Sequence, residues 1–468
     1  MEGFARHDAR LASMIVIIGG GWAGLACAAA LCQRSEGPIT LLETAPALGG
    51  RARGLIWNGR LIDNGQHLTI GAYRETFTLL DMVGAPTWHR QPLVWSGCGA
   101  DRQISHQWRV PRLGWPWRAL LGAVPGFTPR GWPIPWRKKM AAMLAKLSTD
   151  QWTLSRGYRD HGPHLTVARW LSDQHVPQGL IDHFWRPIAE GALNTEIESA
   201  SAATLIRVLQ DSLGGAADAC DVLTPRRNLS IDGVDPIEQW LRSQGVQLLL
   251  GHRAVSLSQP SDGQWQVSVV HGNQQSSINA RAVVMALPCG PSKRLWSDSH
   301  LPITSASRRW ATMQHRAITT VWLALNDQQE SALSQLPEWF VLNTLSGLPQ
   351  VGQVVVRRPG AIGVVISAQA NSSQHSGREQ LASGLALQLR VHLGLDLETL
   401  DQKWITEKNA TWACTVNAPR PSDQEQLGHT GIAGLFRAAD DLVAGYPATI
   451  ESAVRSGRST AEQLLQRR

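Results

Sequence analysis

Cysteine is scarce in this 468-residue chain and tyrosine scarcer, with six of the first and three of the second. The cysteines stand at 27, 32, 98, 220, 289 and 414, with no C-x-x-C pair and no histidine partner at zinc spacing. That pattern excludes a zinc knuckle, a dithiol redox motif and a disulfide scaffold. No metal is expected, and the thiols read as small buried hydrophobes in a reducing cytoplasm. Repeats, low-complexity tracts and long runs of one charge are missing too, which sets aside solenoids and charged tails. A membrane span is also lacking. Residues 14–32 include about 18 largely apolar positions, but glycines cluster at 19, 20, 21 and 24, where a strand must turn. Arg6 and Arg10 ahead of that run imitate a signal peptide, and the same glycines argue against one. Residues 1–13 are expected to form a disordered extension.

What the chain does have is an excess of cations: 44 Lys and Arg against 37 acids, a net charge of +7. Trp88, Trp95, Trp108, Trp115, Trp117, Trp132 and Trp136 crowd one interval, mixed with Arg109, Arg112, Arg118, Arg130, Arg137, Lys138 and Lys139. Interleaved tryptophan and base can stack on nucleobases, but no nucleic-acid-binding signature accompanies them, so no such partner is expected. Two readings stay open. Indoles at headgroup depth with cations on anionic lipid would place the protein peripherally on the inner face of the cytoplasmic membrane. The other reading is an ordinary core beneath a basic surface.

The stretch from Met14 to Arg51 specifies a cofactor site. A β-branched run, 15–18, predicts a buried parallel strand; it breaks at Gly19-Gly20-Gly21 and resumes as an Ala-rich helix over 23–31. Gly19, Gly21 and Gly24 hold G-x-G-x-x-G spacing, with Trp22 and Ala23 between them at the helix start. Missing side chains there permit the turn, the approach of backbone to a pyrophosphate, and close helix–strand packing, while the helix N-terminus offers free N–H groups to phosphate. A second apolar run ends in Glu43, placed to accept hydrogen bonds from a ribose diol. Just beyond it, Gly49-Gly50-Arg51-Ala52-Arg53 adds two glycines and two guanidiniums, which suits a second phosphate contact. A nicotinamide enzyme needs no such element.

The combination of GxGxxG, Glu43 and Gly49-Gly50-Arg51 resembles the FAD-binding fold shared by amine oxidases and carotenoid desaturases. The C-terminal part carries the same resemblance: 434–440, ending in Ala439-Asp440, is followed by 445–457, Gly-Tyr-Pro-Ala-Thr-Ile-Glu-Ser-Ala-Val-Arg-Ser-Gly. Family members usually have Gly-Asp where this chain has Ala439-Asp440. The resemblance implies FAD as cofactor, Gly50 and Arg51 on its phosphates, Asp440 on the ribityl chain, and a helix N-terminus at Ala448, Thr449 and Ile450 facing the flavin. It also matches Val255 to the strand whose backbone meets the adenine. Asn64, Gly65 and Gln66 would return along the isoalloxazine ring. The implied fold is α/β, a Rossmann-like FAD-binding domain of amine-oxidase type with an interleaved α+β substrate domain. The FAD-binding domain would comprise 14–86, 224–292 and 405–468. The substrate domain would comprise 87–223, helical in character, and 293–404, richer in strands.

Within that superfamily, the segment Asp63-Asn64-Gly65-Gln66-His67 together with the motifs above looks like the hydroxysqualene dehydroxylase family of hopanoid pathways. That resemblance implies reduction of hydroxysqualene, a polyisoprenoid, to squalene by reduced FAD with loss of water, and an electron donor that no motif identifies. An allylic hydroxyl leaves only when protonated, so a general acid is required, and His67 is the candidate: an ordinary imidazole titrates near pH 6.5. A histidine that merely hydrogen-bonds a carbonyl or the flavin edge fits the same position. Asp63 and Asn64 read as loop-holding Asx residues. Trp170, Trp185 and Trp322 offer aromatic faces to a cation in the long apolar cavity such a substrate needs. Two other classes remain open. One is a hydride-abstracting carotenoid desaturase or amine oxidase, the latter poorly served by three tyrosines. The other is a non-catalytic FAD-containing scaffold.

Overall fold

A strand buried on both faces of a sheet must be apolar at every position, and the first strand of this protein meets that condition. In the computed structural model, which describes residues 14–34, 37–113, 129–154, 164–259, 263–346, 351–369 and 375–466, residues 15–18 are all buried. Residues 1–13, Trp115, Trp117 and Arg118 lie outside the described residues. In chain order the strands are β1 (Ile15–Ile18), β2 (Ile39–Glu43), β3 (Gly54–Trp57), β4 (Arg60–Asp63), β5 (Thr69–Ile70), β6 (His89–Gln91), β7 (Val94–Cys98), β8 (Ile104–Arg109), β9 (Val222–Thr224), β10 (Gln247–Leu250), β11 (Arg253–Ser258), β12 (Trp265–His271), β13 (Gln274–Ala280), β14 (Ala282–Met285), β15 (His315–Ala324), β16 (Trp339–Leu342), β17 (Val354–Arg358), β18 (Ala361–Gln369), β19 (Gln402–Trp412), β20 (His429–Ile432) and β21 (Leu435–Arg437).

One sheet has the order β10-β2-β1-β14-β21-β20 and is parallel except at β20. Ile15 and Ile17 point into a core shared with the helices Trp22–Cys32 and Ile450–Gln466, while Val16 and Ile18 point into a second core with Trp265, Val267 and Met285. Each such side chain contributes roughly 1.5–3 kcal/mol by leaving water. The chain winds from β1 to β2 and β10 on one side, and β14 and β21 lie on the other. A crevice therefore opens at the carboxyl ends of β1 and β14, the place where open α/β sheets bind ligands.

The second large sheet, β19-β15-β18-β17-β16-β7-β8, is the floor of the other half of the molecule. Val321 and Leu323 of β15 pack with Leu385, Leu389 and Leu393 of the helix His375–Leu393, whereas Trp322 faces the opposite way, onto Ile62 and Ala361 beside the β3–β4 hairpin. Helices at Ile134–Thr149, Val167–Asp173, Arg186–Leu193 and Ala202–Ser212 share a third core.

Strand pairing draws the division of the chain differently from the one the resemblance implies. β19 runs to Trp412 and pairs with β15 throughout, so a cut at 405 falls inside a strand of the substrate sheet. The first insertion, read as helical, also supplies β7 and β8 to that sheet. The segment 293–313, assigned by sequence to the substrate half, packs instead through Leu295, Trp296 and Trp310 with β12 and β14. Trp88, Trp95, Trp108 and Trp132 are buried, and Trp136 is partly so. Four of the tryptophans considered for lipid contact are therefore core residues, as T-shaped partners such as Trp95 and Phe184 illustrate. Among the described residues no helix is long and apolar enough to cross a membrane.

Candidate functional site: a dinucleotide crevice between the two sheets

Three glycines at the end of β1 serve three different needs. Gly19 has φ +112°, and a Cβ there would lie 2.3 Å from the Ala286 carbonyl oxygen. A Cβ on Gly24 would lie 2.0 Å from the Gly19 carbonyl oxygen, so its absence lets the helix close on the turn. Gly21 differs: its Cβ would meet nothing nearer than Gly50 Cα at 4.0 Å. The space over Gly21 is walled by backbone alone, as a pyrophosphate requires. Gly50 reaches that wall because Gly49 N–H donates to the Gly20 carbonyl at 2.8 Å and Gly21 bridges Gly49.

The neighbouring predicted residues frame the same space. The Trp22 indole N–H donates to the Ala52 carbonyl at 2.8 Å, tying the 49–52 loop to the helix start; its side chain is buried. Ala23 is buried, and its carbonyl oxygen lies where a Cβ on Gly457 would be, at 2.2 Å, so the C-terminal helix packs backbone-close on the first. Glu43 accepts from Gly20 N–H and Ala45 N–H, both at 2.7 Å, one on each carboxylate oxygen. Arg51, from the N-terminal part, meets Asp440, from the C-terminal part, at 2.7 Å. Thr449 caps the helix Ile450–Gln466 by accepting from Ser452 N–H at 3.1 Å, and Ala448 precedes it. Val255 sits at a bulge where β11 shifts register against β12.

The Asp63–His67 segment enters from β4. Asn64 is spent on the backbone: its N–H donates to the Arg53 carbonyl and its Oδ1 accepts from Arg53 N–H at 3.0 Å. Gln66 has both amide atoms buried with no protein partner, and His67 Nε2 is in the same state. Gly65 permits this, since a Cβ there would lie 3.2 Å from His67 Nε2. Buried orphan polar atoms beside a backbone-walled crevice fit a polar ring system lodged there. Burial pulls the His67 imidazole down to about 4, against a hydrogen bond to the Arg51 backbone that favours the charged form. The expectation of an ordinary imidazole titrating near pH 6.5 is therefore corrected: with a value of about 4, the ring is neutral at pH 7.

Sequence reasoning missed the buried charges that hold the Asp440 turn. Arg437 donates to both oxygens of Asp441, at 2.8 and 2.6 Å, and Arg309 donates to Asp441 at 2.9 Å and to Glu425 at 2.8 Å. Burial pushes the Asp441 carboxyl up, and the two guanidiniums override it, leaving the acid well below the usual carboxylate range. Removing one member of such a set costs roughly 3–5 kcal/mol, because a partner stays buried and uncompensated. The Asp440-Asp441 doublet was the only signal in the sequence; Arg309 and Glu425 reach it solely through the fold. Of the three tryptophans considered for a cation, Trp322 alone lies at the Asp63–His67 segment, donating to the Asp63 carbonyl at 2.9 Å. Trp170 and Trp185 pack edge to face on each other within the helical core.

Known proteins share this architecture. The chain is 25% identical over 465 residues to a hydroxysqualene dehydroxylase of Zymomonas mobilis, spanning 97% of this chain and 99% of that one. It is 24% identical to a 15-cis-phytoene desaturase of Synechococcus elongatus over 61% of this chain and 60% of that one. A putrescine oxidase structure with bound putrescine superposes with a TM-score of 0.67 over 97% of this chain and 99% of that one; at 14% identity this likeness concerns the fold alone. The family model for flavin containing amine oxidoreductases matches residues 22–465. The glycine turn, the Gly49–Arg51 loop and the Asp440 turn come together in the fold, and the family's cofactor is FAD. The chain belongs to the flavin containing amine oxidoreductase family and is an FAD-dependent oxidoreductase.

Proposed function

We propose that this protein reduces hydroxysqualene to squalene with loss of water. The observation that carries the reading is the similarity to the Z. mobilis hydroxysqualene dehydroxylase along nearly the whole of both chains. When bound, reduced FAD supplies the hydride. The chain's own residues bind the dinucleotide through Gly21, Gly50 and Glu43. His67 Nε2, buried and unpartnered, is the atom offered to the substrate hydroxyl. Because the ring is neutral at pH 7, a proton for the leaving hydroxyl must be loaded onto it first, at a cost of about 4 kcal/mol for the distance from 4 to 7. A separate electron donor must reduce the flavin between turnovers.

The similarity to the phytoene desaturase favours a second reading, hydride abstraction from a polyene by oxidised FAD. One experiment separates them. Holoprotein reduced with dithionite and given hydroxysqualene anaerobically is expected to yield squalene, with one flavin reoxidised per product. Oxidised holoprotein given phytoene or a panel of amines is expected to stay oxidised. Desaturated carotenoid, with no squalene formed, would transfer the protein to the second class.

Association with a membrane surface is part of the same proposal, since the substrate is a lipid. Residues 102–149 contain nine Lys and Arg and no acid, while the whole chain carries +7, so the rest sums to −2. Ile134 is exposed within that interval. Binding to vesicles rich in anionic lipid is expected to weaken steeply between about 0.05 and 0.5 M salt, as the screening length contracts to a few ångströms. Equal sedimentation with neutral and anionic vesicles at all salt concentrations would remove charge from the account.

A further inference from the structure

Asp63 is almost fully buried, yet it contacts both the 229–234 turn and the substrate sheet. Its Oδ1 accepts from Leu229 N–H at 2.8 Å, where the chain enters the π-helical turn Ser230–Val234. Its carbonyl accepts the Trp322 indole N–H from β15. Its Oδ2 faces the Arg358 guanidinium of β17 at 3.8 Å, and Arg358 Nε and Nη2 are buried without a hydrogen bond. Trp322 and Arg358 belong to the same side of the substrate sheet: Trp322 pairs across β18 with Gly363, Arg358 with Ala361, and Ala361 shares the small core of Trp322 and Ile62. The other charges nearby are accounted for. Asp232 lies close but is held by Arg227, whose backbone N–H and side chain both donate to it. The next residues after Asp63 are the Asn64–His67 segment.

We infer that Asp63, Arg358 and Trp322 form a clasp that registers the Asn64–His67 segment against the substrate sheet, and that the charge on Asp63 closes it. Asp63 is a positioning residue, acting through Gln66 and His67. With the carboxylate ionised, its attraction holds the otherwise orphaned guanidinium. A proton on Asp63 removes that attraction and leaves the Arg358 guanidinium without its acid partner. Burial pushes the Asp63 carboxyl up to about 6, against the Leu229 N–H and Arg358, which lower it, while Asp232 raises it further. Within the clasp Asp63 therefore loses its proton as the pH rises through about 6, and the carboxylate that forms faces Arg358.

This rests on the reading that Asn64–His67 lines the flavin, and it is tested without the proposed substrate. The visible spectrum of the oxidised holoprotein, titrated from pH 8 to 5, is expected to change in one step near pH 6. Asp63→Asn should abolish the step. Should that variant fail to retain FAD, Arg358→Gln decides: without the guanidinium the step should move up by roughly half a pH unit or more, since the carboxylate loses its attraction. Arg358→Lys should keep the step close to its original place. A flat titration of the wild-type protein, a step that survives Asp63→Asn, or one that Arg358→Gln leaves unmoved overturns the clasp. Squalene formation is read separately, so a protein with the step and no squalene keeps the clasp and loses the reaction.

Discussion

Gly21→Val is expected to give a folded protein that purifies colourless, with FAD affinity reduced at least a hundredfold. The reason lies in what surrounds each glycine. A side chain at Gly21 enters open space, with Gly50 Cα at 4.0 Å as its nearest contact, so the fold has no cause to object. The same side chain would fill the space in front of the helix start, where on the proposed reading backbone N–H groups meet the pyrophosphate. Gly24→Val is the contrasting case. Its Cβ would sit 2.0 Å from the Gly19 carbonyl oxygen, and the helix could no longer close on β1, so aggregation or a large drop in Tm is expected instead. Glu43→Ala should be milder than either, weakening FAD binding while also freeing the Gly20 and Ala45 N–H groups it now satisfies. Circular dichroism together with flavin absorbance distinguishes these outcomes. Recovery of yellow, fully active Gly21→Val protein would place the pyrophosphate elsewhere.

His67→Ala should keep FAD and lose roughly 10²–10⁴ in turnover if His67 delivers the proton that makes hydroxyl a leaving group. FAD is retained because the residues framing the phosphates and ribose lie on other elements. His67→Gln then separates donation from geometry. A neutral amide can hydrogen-bond in the place of imidazole but cannot give up a proton, so near-normal turnover would show that His67 only positions substrate or flavin. A substrate analogue with a better leaving group needs no acid, and should rescue His67→Ala selectively. Failure of that rescue, with binding intact, moves the acid to another residue or to water. The buried ring sharpens the comparison: at about 4, the charged form is a stronger acid than an exposed histidine but a rarer one at neutral pH.

Much of the dinucleotide crevice could be read from the chain because its requirements are local. A turn between a buried strand and a helix needs glycine at fixed offsets, and the acid that ends the next parallel strand falls beside that turn, where Glu43 accepts from Gly20 N–H. Gly21, the Glu43 carboxylate and Gly50 meet partners on the turn itself or on the 45–50 segment, so spacing locates them, whereas Gly19 and Gly24 also meet Ala286, and Gly49 meets Val234, from far along the chain. The tryptophans were ambiguous for the opposite reason. An indole next to arginines suits both a lipid surface and a core, and only long-range packing of Trp95, Trp108 and Trp132 onto Phe184 decides between them. The expected boundary near 405 falls inside β19, which owes its place to hydrogen bonds with β15, almost ninety residues earlier.

The sequence by itself determined that a strand, a glycine turn and a helix would follow one another, that an acid would end the second strand, and that a second glycine loop would lie just beyond it. Those outcomes depend on backbone sterics and periodicity, which a short window contains. The tertiary structure decided the rest: that Arg51 meets Asp440, that Asp441 is neutralised by Arg309 and Arg437, that His67 is buried far enough to lose its proton at neutral pH, and that Asp63 touches Trp322 and Arg358. Charge pairing and desolvation depend on distance and exclusion of water between residues that no window of sequence brings together.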